Sequence, residues 1–451
     1  MISRGSVIVL KYVLTRPIFW LVRIASIICK CTFGYSPVSG HVKSRNKSFE
    51  NFPNCAHRMK VWAYTPVATI LLMQMDYFHL SHLSYEDPIQ AIVNSDNVTF
   101  LNFARKHAVF AVSPTGFNVY DGRHGPFTFY VQAANAVELI TIPLRFFSKL
   151  GQHIRSQGNY SKKVGLLWNT GRCGSTLACK VMNNVDGFVT MSEVGVISTA
   201  YPVMKKQIDP AELCFVDGDM DKMIRDLFHY GLMIQTKGMQ DKIVFIKPRG
   251  LGIPNMNLVH EVCPQALPLI MYRDPVANVK SLIPFLTALG IPISIAEPMV
   301  RAMFANLPAA ELSEINQILD PLLRAYDTQK LAIMYYLGHV IHIKRASSNI
   351  KGKWHVLKYE NLVNNPGQEI TNLLRFFDVK VTQQMLDNCF EAFNKDSQSE
   401  HDVINKKNLD SVRRTKEGSI PEGFKDMVDE KLQLFGFPFS DDFDSLFETP
   451  S

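Results

Sequence analysis

Acidic residues are missing from the first 49 positions; the first is Glu50. The same stretch holds eight of the 48 Lys and Arg residues, so the +7 net charge of this 451-residue chain belongs to its N-terminus. The other 40 basic residues face 41 acidic ones. A near-neutral body excludes a broad nucleic-acid surface. Cysteine is thin as well: eight residues, no CxxC pair and no Cys/His cluster at zinc-finger spacing. Structural metal is therefore not expected, and an oxidising compartment is not demanded. A long uncharged apolar run is also lacking. With 47% hydrophobic and 20% charged residues, the chain is nonetheless globular in composition and long enough for more than one domain.

Residues 1–33 are apolar but interrupted by Arg4, Lys11, Arg16, Arg23 and Lys30, with no uncharged run between them longer than six. A charge at mid-bilayer costs about 2.5–3.5 kcal/mol, which disfavours a clean spanning helix. On a helical wheel the five cations fall within an arc of about 140°, the pattern of a basic helix lying in a membrane surface. Pro17 would break that helix near Arg16. A membrane anchor and an acid-free targeting segment are the two readings. The apolar stretches 61–75 and 126–144 are too short or too interrupted to span and read as core helices. Residues 34–160 thus form an N-terminal region without a motif, expected to be mostly helical.

From residue 161 to 440 the pattern changes. KVGLLW (163–168), KIVFIK (242–247), LPLIMY (267–272) and WHVLKY (354–359) have the length and composition of buried strands. A long helical stretch, roughly 322–345, separates the last two. Strands alternating with helices predict an α/β domain: a parallel sheet with helices on both faces, binding its ligand at the carboxyl ends of the strands. Residues 441–451 read as a tail.

The first of these strands runs into Asn169-Thr170-Gly171-Arg172-Cys173-Gly174, followed by a helix opening with Ser175-Thr176. A glycine-rich turn between strand and helix gathers backbone N–H groups into a concavity at a helix N-terminus, which attracts phosphate or sulfate. Gly171 and Gly174 permit close approach. Ser175 and Thr176 can hydrogen-bond the anion or cap the helix. Arg172 adds a permanent cation. The Cys173 side chain reads as structural, its N–H as part of the loop. A Walker A loop needs Lys before Ser175, and none is there. The strand KIVFIKP ends in Lys-Pro and offers no acid for Mg²⁺, so a metal-free anion site is favoured over a nucleotide triphosphatase.

A second segment, PLIMYRDPVANVKSL, is a strand followed by Arg273-Asp274-Pro275 and a helix carrying Ser281, eight residues past the arginine. A third, WHVLKYENLVNNPGQEITNLLRFFDV (354–379), has the form strand-Y-E-x-L-x-x-x-P-helix. Together, in this order, the three segments resemble the sulfotransferase family, whose fold is P-loop NTPase-like. The resemblance spans roughly residues 161–440.

It implies the following. The donor would be 3′-phosphoadenosine 5′-phosphosulfate (PAPS), used as cosubstrate without a metal. The loop Gly171, Arg172, Cys173, Gly174, Ser175 and Thr176 would hold the phosphosulfate. Arg273 and Ser281 would hold the 3′-phosphate, and Tyr359 would lie near the nucleotide. Arg172 and Lys247 would neutralise charge on the transferring group, and Glu193 would be the general base. Arginine at 172 and glutamate at 193 are similar to the carbohydrate and tyrosylprotein branches, so the acceptor is expected to be a glycan or protein tyrosine hydroxyl. With an anchor, a membrane-associated Golgi enzyme is expected; the cytoplasm is the alternative. Arg413, Arg414, Lys416 and Gly418 read as a solvated basic loop. A P-loop nucleotide kinase, or a non-catalytic membrane-associated nucleotide-binding protein, are the rival functions. The sequence says nothing of oligomeric state.

Overall fold

The computed structural model describes residues 54–447, apart from 62, 65–76, 79–80, 104–106, 199–219, 290–299, 302–303, 305–306, 308–312, 314–327, 351, 395–409, 411–419 and 421. The N-terminal segment 1–33 and the basic loop 413–418 lie outside the described residues. No described helix is long and apolar enough to cross a membrane.

Twelve strands are described: β1 (Ala56–Lys60), β2 (Ala63–Tyr64), β3 (Tyr77–Phe78), β4 (Ser81–Glu86), β5 (Val98–Phe103), β6 (His107–Val112), β7 (Glu138–Pro143), β8 (Lys163–Asn169), β9 (Phe188–Ser192), β10 (Ile243–Lys247), β11 (Leu267–Tyr272) and β12 (His355–Lys358). The last five form one sheet in the order β12-β11-β8-β10-β9, every pair parallel. The α/β expectation holds, and β11 coincides with LPLIMY. β8 sits at the centre, with the chain winding out first to β9 and β10, then back across to β11 and β12. That reversal opens a crevice beyond the carboxyl end of β8. Helices Ser175–Asn183, Met220–Gln235, Met256–Val262, Pro275–Leu289 and Thr328–Asn349 connect the strands. β8, β10 and β11 are buried on both faces, which explains their near-continuous apolar sequences.

The N-terminal region corrects the helical expectation. β4-β1-β7-β6-β5 form a five-stranded antiparallel sheet. The stretch 126–144 is a helix, Thr128–Ala134, followed by β7. The misreading has a physical cause. Alternate residues of these strands enter different cores: Phe110, Val112, Ile140 and Ile142 join the main core with Trp168 and Phe228, whereas Val109, Ala111 and Leu139 pack with Phe129 and Ala133. A strand apolar on both faces loses the period-2 signature and reads like a buried helix. Because Phe100, Phe110 and Phe147 share one cluster with Leu166 and Ile246, both sheets are parts of one packed body.

The C-terminus also departs from expectation. Residues 441–447, read as tail, belong to the 3₁₀ helix Ser440–Phe447. Phe443 and Phe447 are buried there, and the Tyr272 hydroxyl donates to Asp444 Oδ1 at 2.9 Å.

Candidate active site

Sheet register builds the site. Asn169 of β8 pairs with Met271 of β11, so the loop after β8 stands beside Arg273. Tyr272 pairs with Lys358, which brings Arg273 beside Tyr359. On the other flank Lys247 pairs with Ser192, and the Glu193 N–H extends the ladder by donating to the Lys247 carbonyl at 2.7 Å. One carboxyl edge of one sheet therefore carries the loop 169–176, Glu193, Lys247, Arg273 and Tyr359.

The loop itself is tightly wired. Asn169 Oδ1 accepts from the Gly171 N–H at 3.1 Å and from the Ser175 hydroxyl at 3.3 Å. Gly171, Arg172 and Gly174 all take positive φ, at 68°, 50° and 83°. A Cβ on Gly174 would lie 2.3 Å from the Tyr359 ring, so only glycine lets that ring close over the loop. Neither hydroxyl caps the following helix. Its N-cap residue is Gly174, without a side-chain cap bond. Thr176 Oγ1 instead lies 3.5 Å from Lys247 Nζ. Cys173 is wholly buried, with its thiol pushed up by desolvation, in keeping with a structural side chain.

Arg172 Nε reaches Ser281 Oγ at 3.3 Å, and its guanidinium lies 5.1 Å from the Phe285 ring. Ser281 thus faces the loop from the helix Pro275–Leu289, which is capped by Asp274 Oδ1 accepting from the Ala277 N–H at 2.7 Å. Arg273 lies over the Tyr359 ring at 4.5 Å and 3.7 Å from Glu360 Oε1. On the opposite flank Lys247 Nζ meets Glu193 Oε1 at 3.1 Å, and Arg249 Nε meets Glu193 Oε2 at 3.4 Å. Glu193 is itself left-handed, φ 65°. Among the described residues only three non-glycines take positive φ, Arg172, Glu193 and Asp378. Such a conformation costs roughly 1–3 kcal/mol and concentrates at functional positions. Two of the three border this cleft.

Residues 269–444 match the family model described as a sulfotransferase domain. This segment is a sulfotransferase domain. Among solved structures, it is similar to the sulfotransferase STF9 from Mycobacterium avium, at 13% identity over 64% of this chain and 80% of that one, with a TM-score of 0.35. The sulfotransferase domain of the curacin biosynthetic pathway gives 11% identity, coverages of 62% and 99%, and a TM-score of 0.36. That of the Synechococcus PCC 7002 olefin synthase gives 16%, 61%, 94% and 0.33. Comparison with curated proteins gives no match. The assignment rests on the matched segment, not on these overlaps. Arg273, Ser281 and Tyr359 fall inside that segment; the loop 169–176, Glu193 and Lys247 precede it.

The cleft is bordered by residues that sequence reasoning passed over. Asn278 is buried and donates from Nδ2 to Thr170 Oγ1 at 3.0 Å and to the Gly171 carbonyl at 2.8 Å, bracing the loop. Its position one helical turn before Ser281 was the available signal. His339 is also fully buried. Its Nδ1 lies 2.7 Å from the Tyr335 carbonyl, and burial lowers its pKa to about 4. A Cβ on Gly250 would sit 2.6 Å from its Nε2, which shows how closely that ring underlies the loop after β10. Arg249, two residues past Lys247, is the third. Among the described residues no group of three or more His, Cys, Asp or Glu could hold a metal ion.

Proposed function

We propose that this sulfotransferase moves a sulfuryl group from PAPS to the hydroxyl of a glycan or protein tyrosine, without a metal. The observation that carries the reading is the contact of Arg172 with Ser281, 3.3 Å apart. It means that the loop after β8 and the helix after β11 border one cleft, as a nucleotide phosphorylated at both ends requires. The residues fit that donor. The loop offers N–H groups, the Ser175 and Thr176 hydroxyls and Arg172 to the phosphosulfate. Arg273, Ser281 and the Tyr359 ring suit the 3′-phosphate and nucleotide. Glu360 Oε2 is buried without a hydrogen-bond partner next to Arg273, an arrangement that a bound anion, drawing Arg273 away, would change.

The chemistry follows from the charges. In an in-line displacement negative charge grows on the oxygen bridging phosphate and sulfur. Arg172, Lys247 and the loop N–H groups are the fixed positive charges that would stabilise it. Glu193 takes the acceptor hydroxyl's proton as the hydroxyl attacks. The assignment of acceptor follows the likeness of Arg172 and Glu193 to the carbohydrate and tyrosylprotein branches.

Calorimetric titration with 3′-phosphoadenosine 5′-phosphate, and transfer of radiolabelled sulfate from PAPS to a mixed glycan and tyrosyl-peptide panel in the presence of EDTA, test the reading. Glu193→Gln should slow transfer by about 10²–10⁴-fold while leaving nucleotide affinity unchanged. No preference for the 3′-phosphorylated nucleotide over AMP would sink it.

A further inference from the structure

Glu193 is held by two cations of different freedom. Lys247 Nζ sits between the loop and the carboxylate, 3.5 Å from Thr176 Oγ1, 3.5 Å from Ser192 Oγ and 3.1 Å from Glu193 Oε1. Its ammonium lies 5.0 Å from the Phe127 ring on a flexible stem, with Glu193 on one side and the neutral Thr176 hydroxyl of the loop on the other, so a phosphosulfate bound at the loop would compete with Glu193 for it. Arg249 has no such latitude. Its guanidinium lies 3.9 Å from the Phe129 ring and 5.4 Å from that of Tyr130, and its side chain is 10% exposed. Its backbone is pinned too: the Arg249 N–H donates to Ser198 Oγ at 3.3 Å, and its carbonyl accepts from Gly252 at 2.8 Å.

The aromatic shelf under Arg249 comes from the antiparallel unit. Phe129 and Tyr130 belong to the helix Thr128–Ala134, whose Thr128 Oγ1 accepts from the Ser192 N–H at 2.9 Å, one residue before Glu193. Behind Glu193, Gly195 packs so closely on β5 that a Cβ there would lie 2.0 Å from the Leu101 carbonyl oxygen. The N-terminal unit thus grips the Glu193 turn from two directions and fixes the cation that faces it.

We propose that Arg249 is the positioning residue of Glu193. It keeps the carboxylate aimed into the cleft once Lys247 has turned to the donor, and residues 128–130 make the antiparallel unit a working part of the active site. The inference rests on Glu193 being the base. Its test is a double-mutant cycle in the full chain, with PAPS-dependent sulfate transfer and affinity for 3′-phosphoadenosine 5′-phosphate both measured. Arg249→Ala should lower turnover by about 10–100-fold, with nucleotide affinity within about twofold of wild type. Arg249→Lys should recover part of the loss, since the charge returns without the planar stack. In the E193Q background the same Arg249→Ala change should cost less than about twofold, because the group it serves is gone. If R249A does not fold, Phe129→Leu, which removes the ring face and keeps an apolar side chain, should give the same dependence on Glu193. Equal losses with and without Glu193, or a fall in nucleotide affinity parallel to turnover, overturn the inference. An E193Q enzyme with unchanged turnover overturns instead the base assignment beneath it.

Discussion

On one side of the loop 169–176, Lys247 and Arg249 meet Glu193 with side chains 6%, 10% and 20% exposed. On the other, Arg273 meets Glu360 at 3.7 Å with side chains 26% and 31% exposed. Both are cation–carboxylate contacts at strand ends of the same sheet, yet they are suited to different work. Removing water strengthens electrostatic attraction and raises the cost of leaving a charge alone, so the Glu193 cluster is held before any ligand arrives. The Arg273–Glu360 contact is longer and less enclosed, and a phosphate, carrying more charge than a carboxylate, would compete with Glu360 for Arg273. On the buried flank Arg249 stays on Glu193 whatever Lys247 does, whereas on the open flank the cation itself exchanges its partner.

The largest effect expected from this difference is at Lys247. Lys247→Ala should cut turnover by about 10²–10³-fold while nucleotide binding changes far less; an equal fall in both would erase the distinction between the flanks. Next comes the hinge between them. Gly174→Ala forces a Cβ to within 2.3 Å of the Tyr359 ring at a φ of 83°. It should lower thermal stability by an amount corresponding to roughly 1–3 kcal/mol and weaken nucleotide binding, read by scanning calorimetry and titration. On the open flank, Arg273→Ala should weaken 3′-phosphoadenosine 5′-phosphate binding by about tenfold or more, whereas Glu360→Gln should tighten it by about twofold to fivefold, since a competing carboxylate disappears. Weaker binding in Glu360→Gln would mean that the ion pair orients Arg273 instead of competing for it.

The effect most remote from turnover is a pH slope on stability. Burial lowers the pKa of His339 and of His260 to about 4, against 6.5 in the unfolded chain. Below pH 6.5 the unfolded chain binds these protons and the folded one does not. Stability should therefore be complete above pH 6.5 and fall as pH drops toward 4, by up to about 3 kcal/mol per histidine. Thermal melts across that range measure it, and His339→Gln should flatten the slope.

Several features were legible in the residues alone because they depend on neighbours in sequence. LPLIMY matches β11 residue for residue, and the strand–loop–helix at 163–183 is where its glycines put it. Arg172, Arg273 and Ser281 stand out because each sits at a fixed offset from a turn. β9 escaped notice: FVTMS is short, and its apolar character is no greater than that of many loops. β6 and β7 of the antiparallel sheet escaped because they are buried on both faces. Asn278 and Arg249 escaped because their significance lies across the sheet, not along the chain.

The amino-acid sequence by itself determined the parallel α/β order, the glycine-rich loop after β8 and the family to which they point, since each arises from short-range pattern and turn chemistry. Only the tertiary structure decided that Glu193 stands between Lys247 and Arg249, that Arg172 and Ser281 share a cleft, and that Phe129 supports Arg249. Those pairings join residues 54 to 120 positions apart, and no local preference encodes them. They come from strand register and from a hydrophobic core continuous between the two sheets.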